Sequence, residues 1–261
     1  MHRTALVLFL FCAGAIGAGC VGKTTRTTTP VAEARVKVST AEEFVVAIGS
    51  DRTIELAPGE YVLSDVKDRY MDFVRWDPTT AGKTVTIRKV QNLRILSAGK
   101  EPVRLIARPY SVFVLNFEDC NNVSLENLVL GHAPQKGGCE SGVVGATRCS
   151  GLNLRKCDLF GSGTEGLTLR EVEDFAFEES IIRDCTYGIM TIESCKRLRF
   201  SGSKFIRNKK YWGVNVHDTQ VVYFRDCLFQ GNEAAVTLFT VLSSDEVKFE
   251  ACTIKDTLLT K

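Results

Sequence analysis

Three successive segments of this chain carry one pattern: LTLREVEDFAFEESII at residues 167–182, MTIESCKRLRFSGSKF at 190–205 and VNVHDTQVVYFRDCLF at 214–229. In each segment, large apolar residues alternate with polar ones around one anchor position. Six anchors recur, by subtraction 23 to 29 residues apart: Cys120, Cys149, Val172, Cys195, Thr219 and Ser244. A repeat of this length indicates a solenoid, and the alternation predicts strands, not helices.

The apolar positions form columns when the copies are aligned on their anchors. The residues five and ten positions beyond each anchor are large and apolar in every copy, and the residue eight positions beyond is small in most. One coil of short strands cannot bury such side chains alone, so coils must stack with similar residues above one another.

This repeat resembles the right-handed parallel β-helix (pectate-lyase-like) family over residues 39–261. The resemblance implies an all-β fold, a single-stranded right-handed parallel β-helix solenoid. Ser39 to Ile48 has the pattern of a capped amphipathic helix, which would correspond to the short N-terminal capping helix of that family. The family contains polysaccharide lyases, hydrolases, epimerases and proteins without known activity, so the fold alone implies no single chemistry.

The first twenty residues have the pattern of an export signal: Arg3, an apolar run from Ala5 to Ile16, then Gly17-Ala18-Gly19-Cys20. They resemble a bacterial lipoprotein signal, which implies a lipid on Cys20 and an exported protein anchored in the cell envelope at the outer membrane. We therefore expect a signal peptide (1–19), a lipid-attached Thr-rich linker (20–38) and a β-helix domain (39–261). Cleavage as an ordinary secreted protein is the alternative.

Charge and motifs argue against several classes of ligand. The 33 Lys and Arg nearly balance the 31 Asp and Glu, with no basic run, so we expect no nucleic-acid partner. Residues 17–24 satisfy the P-loop pattern, but the Thr-rich, Pro-ended tract that follows is a poor helix, so we expect no bound nucleotide. There is no C-x-x-C pair and no cluster of carboxylates on one face, so no metal or cofactor is predicted.

The cysteines allow two interpretations. Cys120 and Cys149 fall in one inward column, and Cys227 and Cys252 fall in another. Stacked strands lie about 4.8 Å apart, within reach of a disulfide, but small thiols also suit a tight column. We favour free, packed thiols there. Two cysteines in predicted turns are better candidates for a disulfide or a reactive thiol: Cys139 and Cys185.

Function must come from the outward positions, because the columns are core. Arg170, Glu193 and His217 lie two residues before successive anchors, so we expect them in a line on one face. Hydroxyls, amides and charges along an extended sheet suit a sugar polymer. The other candidate binding residues are neighbours on that face, aromatic residues at a turn and a histidine in the inserted loop 132–140: Glu118, Thr168, Thr191, Asn215, Tyr211, Trp212 and His132.

Three functions remain open. The first is binding of an extended polysaccharide at the cell envelope. The second is a polysaccharide lyase or glycoside hydrolase, in which Arg170 neutralises a uronate, either Glu193 or His217 acts as base, and the other acts as acid. The third is a structural or adhesive scaffold that binds protein or itself at the C-terminal end, where no cap is evident. Catalysis predicts a cleft between loops 67–83 and 132–140, and a scaffold predicts a flat face. The outward rows could also be an ordinary ion-pair ladder.

Overall fold

The computed structural model of the chain describes residues 34–108, 111–132, 141–209, 212–234 and 237–256. The predicted signal peptide, Cys20, Cys139 and Tyr211 lie outside these ranges. Within them, no helix is long and apolar enough to cross a membrane. Ala34 to Val38, which the sequence assigned to the linker, form a strand that pairs with Arg52–Leu56. The coils therefore begin before the expected boundary at residue 39.

Three sheets of mainly parallel strands make up the solenoid, and each complete coil contributes one strand to each sheet. Sheet A has nine strands: β1 Ala34–Val38, β2 Arg52–Leu56, β6 Gln91–Ser97, β9 Asn121–Glu126, β12 Ser150–Arg155, β15 Glu173–Glu178, β18 Lys196–Ser201, β21 Val221–Arg225 and β24 Glu246–Glu250. Sheet B has eight: β3 Glu60–Val62, β7 Val103–Ala107, β10 Leu128–His132, β13 Asp158–Phe160, β16 Ile181–Arg183, β19 Lys204–Ile206, β22 Leu228–Gln230 and β25 Thr253–Ile254.

Sheet C also has eight strands: β4 Val74–Pro78, β5 Lys83–Arg88, β8 Leu115–Glu118, β11 Val144–Thr147, β14 Leu167–Arg170, β17 Met190–Glu193, β20 Val214–His217 and β23 Phe239–Leu242. The chain visits sheets C, A and B in that order within each repeat, as a right-handed parallel β-helix. This confirms the predicted fold class.

Two elements depart from regular strands. Helix α1 spans Ala41–Ala47, and Thr40 is its N-cap residue. The Thr40 side chain accepts a hydrogen bond from the Glu43 amide, and the Glu43 side chain accepts one from the Thr40 amide. This capping box confirms the predicted helix start. Residues 67–83 were expected to form a projecting loop, but β4 within them pairs antiparallel with β5 at the edge of sheet C. Val74 on β4 is buried in the core, which explains why this part of the insertion folds back.

The predicted columns are the core. Parallel pairing places Phe177, Phe200 and Phe224 in register on successive strands of sheet A, and all three are fully buried. The rings of Phe200 and Phe224 stack with centroids 4.7 Å apart, close to the spacing of neighbouring strands. A phenylalanine on one coil therefore covers the phenylalanine on the next.

Sharp corners separate sheet C from sheet A and sheet A from sheet B. One residue with positive φ makes each corner in the regular coils, and most are not glycine; Asp119, Arg148 and Glu171 have φ between 51° and 54°. Their amides remain bonded within the stack, as from Asp119 N to Thr147 O and from Arg148 N to Arg170 O. Backbone pairing between coils thus holds residues in a conformation that side chains usually disfavour.

The thiols of seven described cysteines are free: Cys120, Cys149, Cys157, Cys185, Cys195, Cys227 and Cys252. This confirms the favoured interpretation for the two stacked pairs. Cys185 does lie in a connection, but it is fully buried, and burial raises the pKa of its thiol to about 12. The expectation of a reactive thiol or disulfide at Cys185 is therefore wrong, because a buried thiol rarely ionises and is inert.

Candidate functional site

The outer face of sheet C carries two rows of side chains in the predicted register. Arg170 pairs with Glu193, and Glu193 with His217, on successive strands. The neighbouring row is aligned in the same way and contains Thr86, Asn116, Gly145, Thr168, Thr191, Asn215 and Thr240. The structure therefore brings the line of three and its predicted polar neighbours onto one face.

Arg170 and Glu193 are already engaged with each other. Arg170 Nε lies 3.2 Å from Glu193 Oε2, and both side chains are about half exposed, at 59% and 45%. An exposed pair of this kind contributes at most about 1 kcal/mol to stability, so a ligand can displace it at small cost. The half-buried His217 lies beside Glu193 on the next strand.

A carboxylate that the sequence analysis missed lies beside this face, just before the start of β14. Glu165 is in the connection between β13 and β14 and is only 8% exposed. Its Oε1 accepts a hydrogen bond from Thr168 Oγ1 and its Oε2 accepts one from Thr191 Oγ1, both at 2.7 Å. The Trp212 side chain also hydrogen-bonds to this carboxyl. Thr168, Thr191 and Trp212, all predicted as binding residues, thus converge on Glu165.

Small residues make room for Glu165. From β8 onward, the position two residues before each sheet C strand is occupied in turn by Phe113, Gly142, Glu165, Gly188, Trp212 and Thr237. A Cβ atom at Gly188 would lie 2.5 Å from Trp212 Cδ1, and one at Gly142 would lie 3.2 Å from Phe113 Cε1. The two rings therefore pack over glycines on either side of Glu165, and larger residues there would force them away.

These side chains line a groove of about 430 Å³ on sheet C. Its lining combines two aromatic rings with hydroxyls, an amide, a carboxyl and a guanidinium: Phe113, Asn116, Ser141, Thr164, Glu165, Thr168, Arg170 and Trp212. Burial raises the pKa of the Glu165 carboxyl, although the hydrogen bonds from Thr191, Thr168 and Trp212 and the charge of Arg170 act in the opposite direction. The groove thus contains a carboxyl that keeps its proton more readily than an exposed glutamate.

Glu118, a predicted binding residue, belongs to a network at the other end of the face. Arg75 Nη2 and Arg148 Nη2 each lie 2.5 Å from one of its oxygens. Asp77 accepts hydrogen bonds from Arg75 Nε and Thr86 Oγ1, both at 2.5 Å. Burial acts to raise the pKa of Asp77, but these hydrogen bonds hold it below its ordinary value. Two arginines thus hold Glu118 in an ion-pair network.

His132 is not the exposed loop residue that the sequence suggested. It is the last residue of β10, is 3% exposed, and its Nε2 lies 2.7 Å from the Val112 carbonyl oxygen. Burial lowers the pKa of this imidazole, so the neutral form is favoured. The expected position in the inserted loop is wrong, because β10 extends one residue into the insertion and buries the ring; the binding role of His132 stays a prediction.

The chain belongs to the right-handed β-helix family. The family model described as "Right handed beta helix region" matches residues 114–258, which include the three-residue line and every lining residue of the groove except Phe113. No curated protein sequence matches the chain.

Several solved structures are similar to it. A putative glycosyl hydrolase from Parabacteroides merdae has a TM-score of 0.47 and 14% identity, and the match covers 64% of this chain and 84% of that one. An alginate lyase from Paenibacillus sp. has a TM-score of 0.44 and 11% identity, with 85% and 95% covered. The catalytic domain of a GH87 alpha-1,3-glucanase has a TM-score of 0.52 and 10% identity, with 87% and 46% covered. The similarity to the glucanase domain, at 10% identity, shows a shared fold alone.

Proposed function

We propose that the groove on sheet C binds an extended polysaccharide. The observation that carries the proposal is the pair of aromatic rings, Phe113 and Trp212, on either side of the hydrogen-bonded Glu165. Trp212 is 41% exposed and offers a flat apolar surface, which suits the C–H face of a sugar ring. The hydroxyls of Thr168 and Thr191 and the carboxyl of Glu165 offer the donors and acceptors that sugar hydroxyls require.

The shape of the face favours a polymer over a small compact ligand. The outward row from Asn116 to Thr240 crosses six strands in register. At about 4.8 Å between neighbouring strands, it extends over roughly 24 Å. Several sugars of an extended chain would each meet a similar set of polar groups along that path.

The cellular location is a separate part of the proposal. The charged start, short apolar run and Gly17-Ala18-Gly19-Cys20 sequence support export and a lipid on Cys20 at the outer membrane, with the Thr-rich tract as a tether. Growth of an expressing bacterium with labelled palmitate tests this directly. The chain is expected to take up label and partition with membranes, and Cys20→Ser is expected to lose both. Equal partitioning of the two proteins would refute the anchor.

Binding is tested by affinity electrophoresis of the full chain through gels that contain laminarin, dextran, xylan, alginate or polygalacturonate. Retention by at least one polymer is expected. Trp212→Ala and Phe113→Ala should each weaken that retention about tenfold, which corresponds to about 1.4 kcal/mol. Tyr223→Ala is the matched control, because Tyr223 is an aromatic residue on the outer face of sheet A. Absence of retention on every polymer, or an equal loss in the control, would refute the proposal.

A further inference from the structure

Two carboxyl groups on sheet C differ in their surroundings. Glu165 is buried at the groove and accepts hydrogen bonds from Thr168 and Thr191. Glu193 is half exposed and forms an ion pair with Arg170. One group is therefore suited to hold a proton and the other to accept one.

Their separation follows from the strand that links them. Glu165 Oε2 accepts a hydrogen bond from Thr191, and Glu193 lies two residues further along β17 on the same outward face. Two residues of a strand span about 6.6 Å. Thr168 and Thr191 contact the Glu165 carboxyl, and Arg170, two residues beyond Thr168, contacts the Glu193 carboxylate. This offset of two residues on both strands places the two carboxyl groups on the order of 7 Å apart, which leaves room for a water molecule beside a sugar ring.

We propose that Glu165 and Glu193 are the general acid and general base of a glycoside hydrolase that inverts the anomeric centre. This inference rests on the proposed binding of a polysaccharide in the same groove. Glu165 gives its proton to the glycosidic oxygen as the bond from that oxygen to the anomeric carbon breaks. Glu193 takes a proton from the attacking water, whose oxygen bonds to the anomeric carbon. The products are two shorter chains, and exchange with solvent returns both protons to their starting positions.

The charged and titratable neighbours of Glu165 are consistent with these roles. Arg170 lies on β14 and favours the ionised form of Glu165, whereas burial opposes it more strongly. Cys185 interacts with Glu165 electrostatically from the core side, and its thiol is protonated at neutral pH because burial raises its pKa. Arg170 also keeps Glu193 oriented and would be free to contact substrate when Glu193 turns toward water.

The test uses the full chain and the polymer that the gels retain most strongly. Release of new reducing ends is measured together with absorbance from unsaturated ends. Glu165→Gln and Glu193→Gln should each lower the release of reducing ends at saturating polymer by 10² to 10⁴ fold. Glu178→Gln, on the outer face of sheet A, is the control and should cleave at the wild-type rate.

A chemical rescue separates a catalytic role for Glu193 from a structural one. In Glu193→Ala, added azide should restore cleavage and appear in the product as a glycosyl azide, because the small anion attacks the anomeric carbon without a base. Proton NMR of the first product should show the inverted anomer. Unsaturated ends, a retained anomer or full activity in Glu165→Gln would each overturn the inference.

The two proposals fail in different ways. Retention without any release of reducing ends would overturn the acid and base roles and leave polysaccharide binding intact. Absence of retention on every polymer would refute binding itself, and the inference would fall with it.

Discussion

Asn208→Ala is expected to lower the stability of the solenoid strongly, because Asn208 belongs to a buried ladder of amides. It is 2% exposed. Its Oδ1 accepts a hydrogen bond from the Cys185 amide at 3.0 Å, and its Nδ2 donates to the Ile182 carbonyl at 3.2 Å and to Asn232 Oδ1 at 2.9 Å. One side chain therefore satisfies backbone groups of the coil that precedes it.

The magnitude follows from the groups that alanine would leave unpaired. The Cys185 amide and the Ile182 carbonyl would lose their partner in the core, and each such loss costs about 1–3 kcal/mol. Asn232 Oδ1 would keep the bond from the Asn208 amide, at 3.1 Å, so it adds little. The expected loss is thus about 4 kcal/mol. With a urea slope of about 3 kcal/mol per molar, the unfolding midpoint should fall by roughly 1.3 M.

Urea unfolding followed by circular dichroism measures this loss. Asn215→Ala is the matched control, since Asn215 is on the same coil but points outward from sheet C. The control should stay within about 0.5 kcal/mol of wild type, as surface substitutions do. If the two variants differ by less than 1 kcal/mol, the amide ladder does not stabilise the connection between sheets B and C.

Three further predictions concern stability and pH. Phe224→Ala should lower the free energy of unfolding by about 3–5 kcal/mol, because Phe224 is fully buried. Phe249→Ala should lower it by less than half as much, because Phe249 is 42% exposed. Equal losses in urea unfolding would contradict this prediction. Folding raises the pKa of Glu165 above its ordinary value of 4.5, so the folded state binds more protons than the unfolded state. The free energy of unfolding should therefore fall as the pH rises from 4.5 to the raised pKa. Thermal unfolding of Glu165→Gln should not show this fall. Folding lowers the pKa of His132 below 6.5, so stability should fall as pH drops below 6.5, by at most about 1.4 kcal/mol per pH unit, and His132→Gln should lack that loss.

The core and the register of the strands could be predicted from the sequence. Parallel coils place residues of one repeat position directly above those of the next, so a column of similar residues is required wherever side chains point inward. The alignment of Arg170, Glu193 and His217 follows from the same rule, since outward positions keep the register of their inward neighbours. The ladder of Asn208 and Asn232 was visible in the sequence too, because both lie three residues beyond a core phenylalanine.

Glu165 could not be predicted in this way. The column that contains Glu165 mixes aromatic, small and polar residues, so it has no consistent pattern. Its members are Phe113, Gly142, Glu165, Gly188, Trp212 and Thr237. The glycines that flank Glu165 matter because the rings of Phe113 and Trp212 pack over them, which is a contact between coils and not a pattern along the chain. His132 was misplaced for a related reason, since nothing in the sequence showed that β10 continues into the inserted loop.

The position of the groove follows from the lengths of the three connections in a coil. From β8 onward, one to three residues lead from sheet C to sheet A or from sheet A to sheet B, whereas six to eleven lead from sheet B to sheet C. Hydrogen bonds to the next coil fix the backbone of the short corners. A corner of one to three residues is therefore too short to carry a side chain over a neighbouring strand. The long connections can differ from coil to coil without disturbing the core. Phe113, Glu165 and Trp212 all come from them, so the fold itself directs variable chemistry to the edge of sheet C.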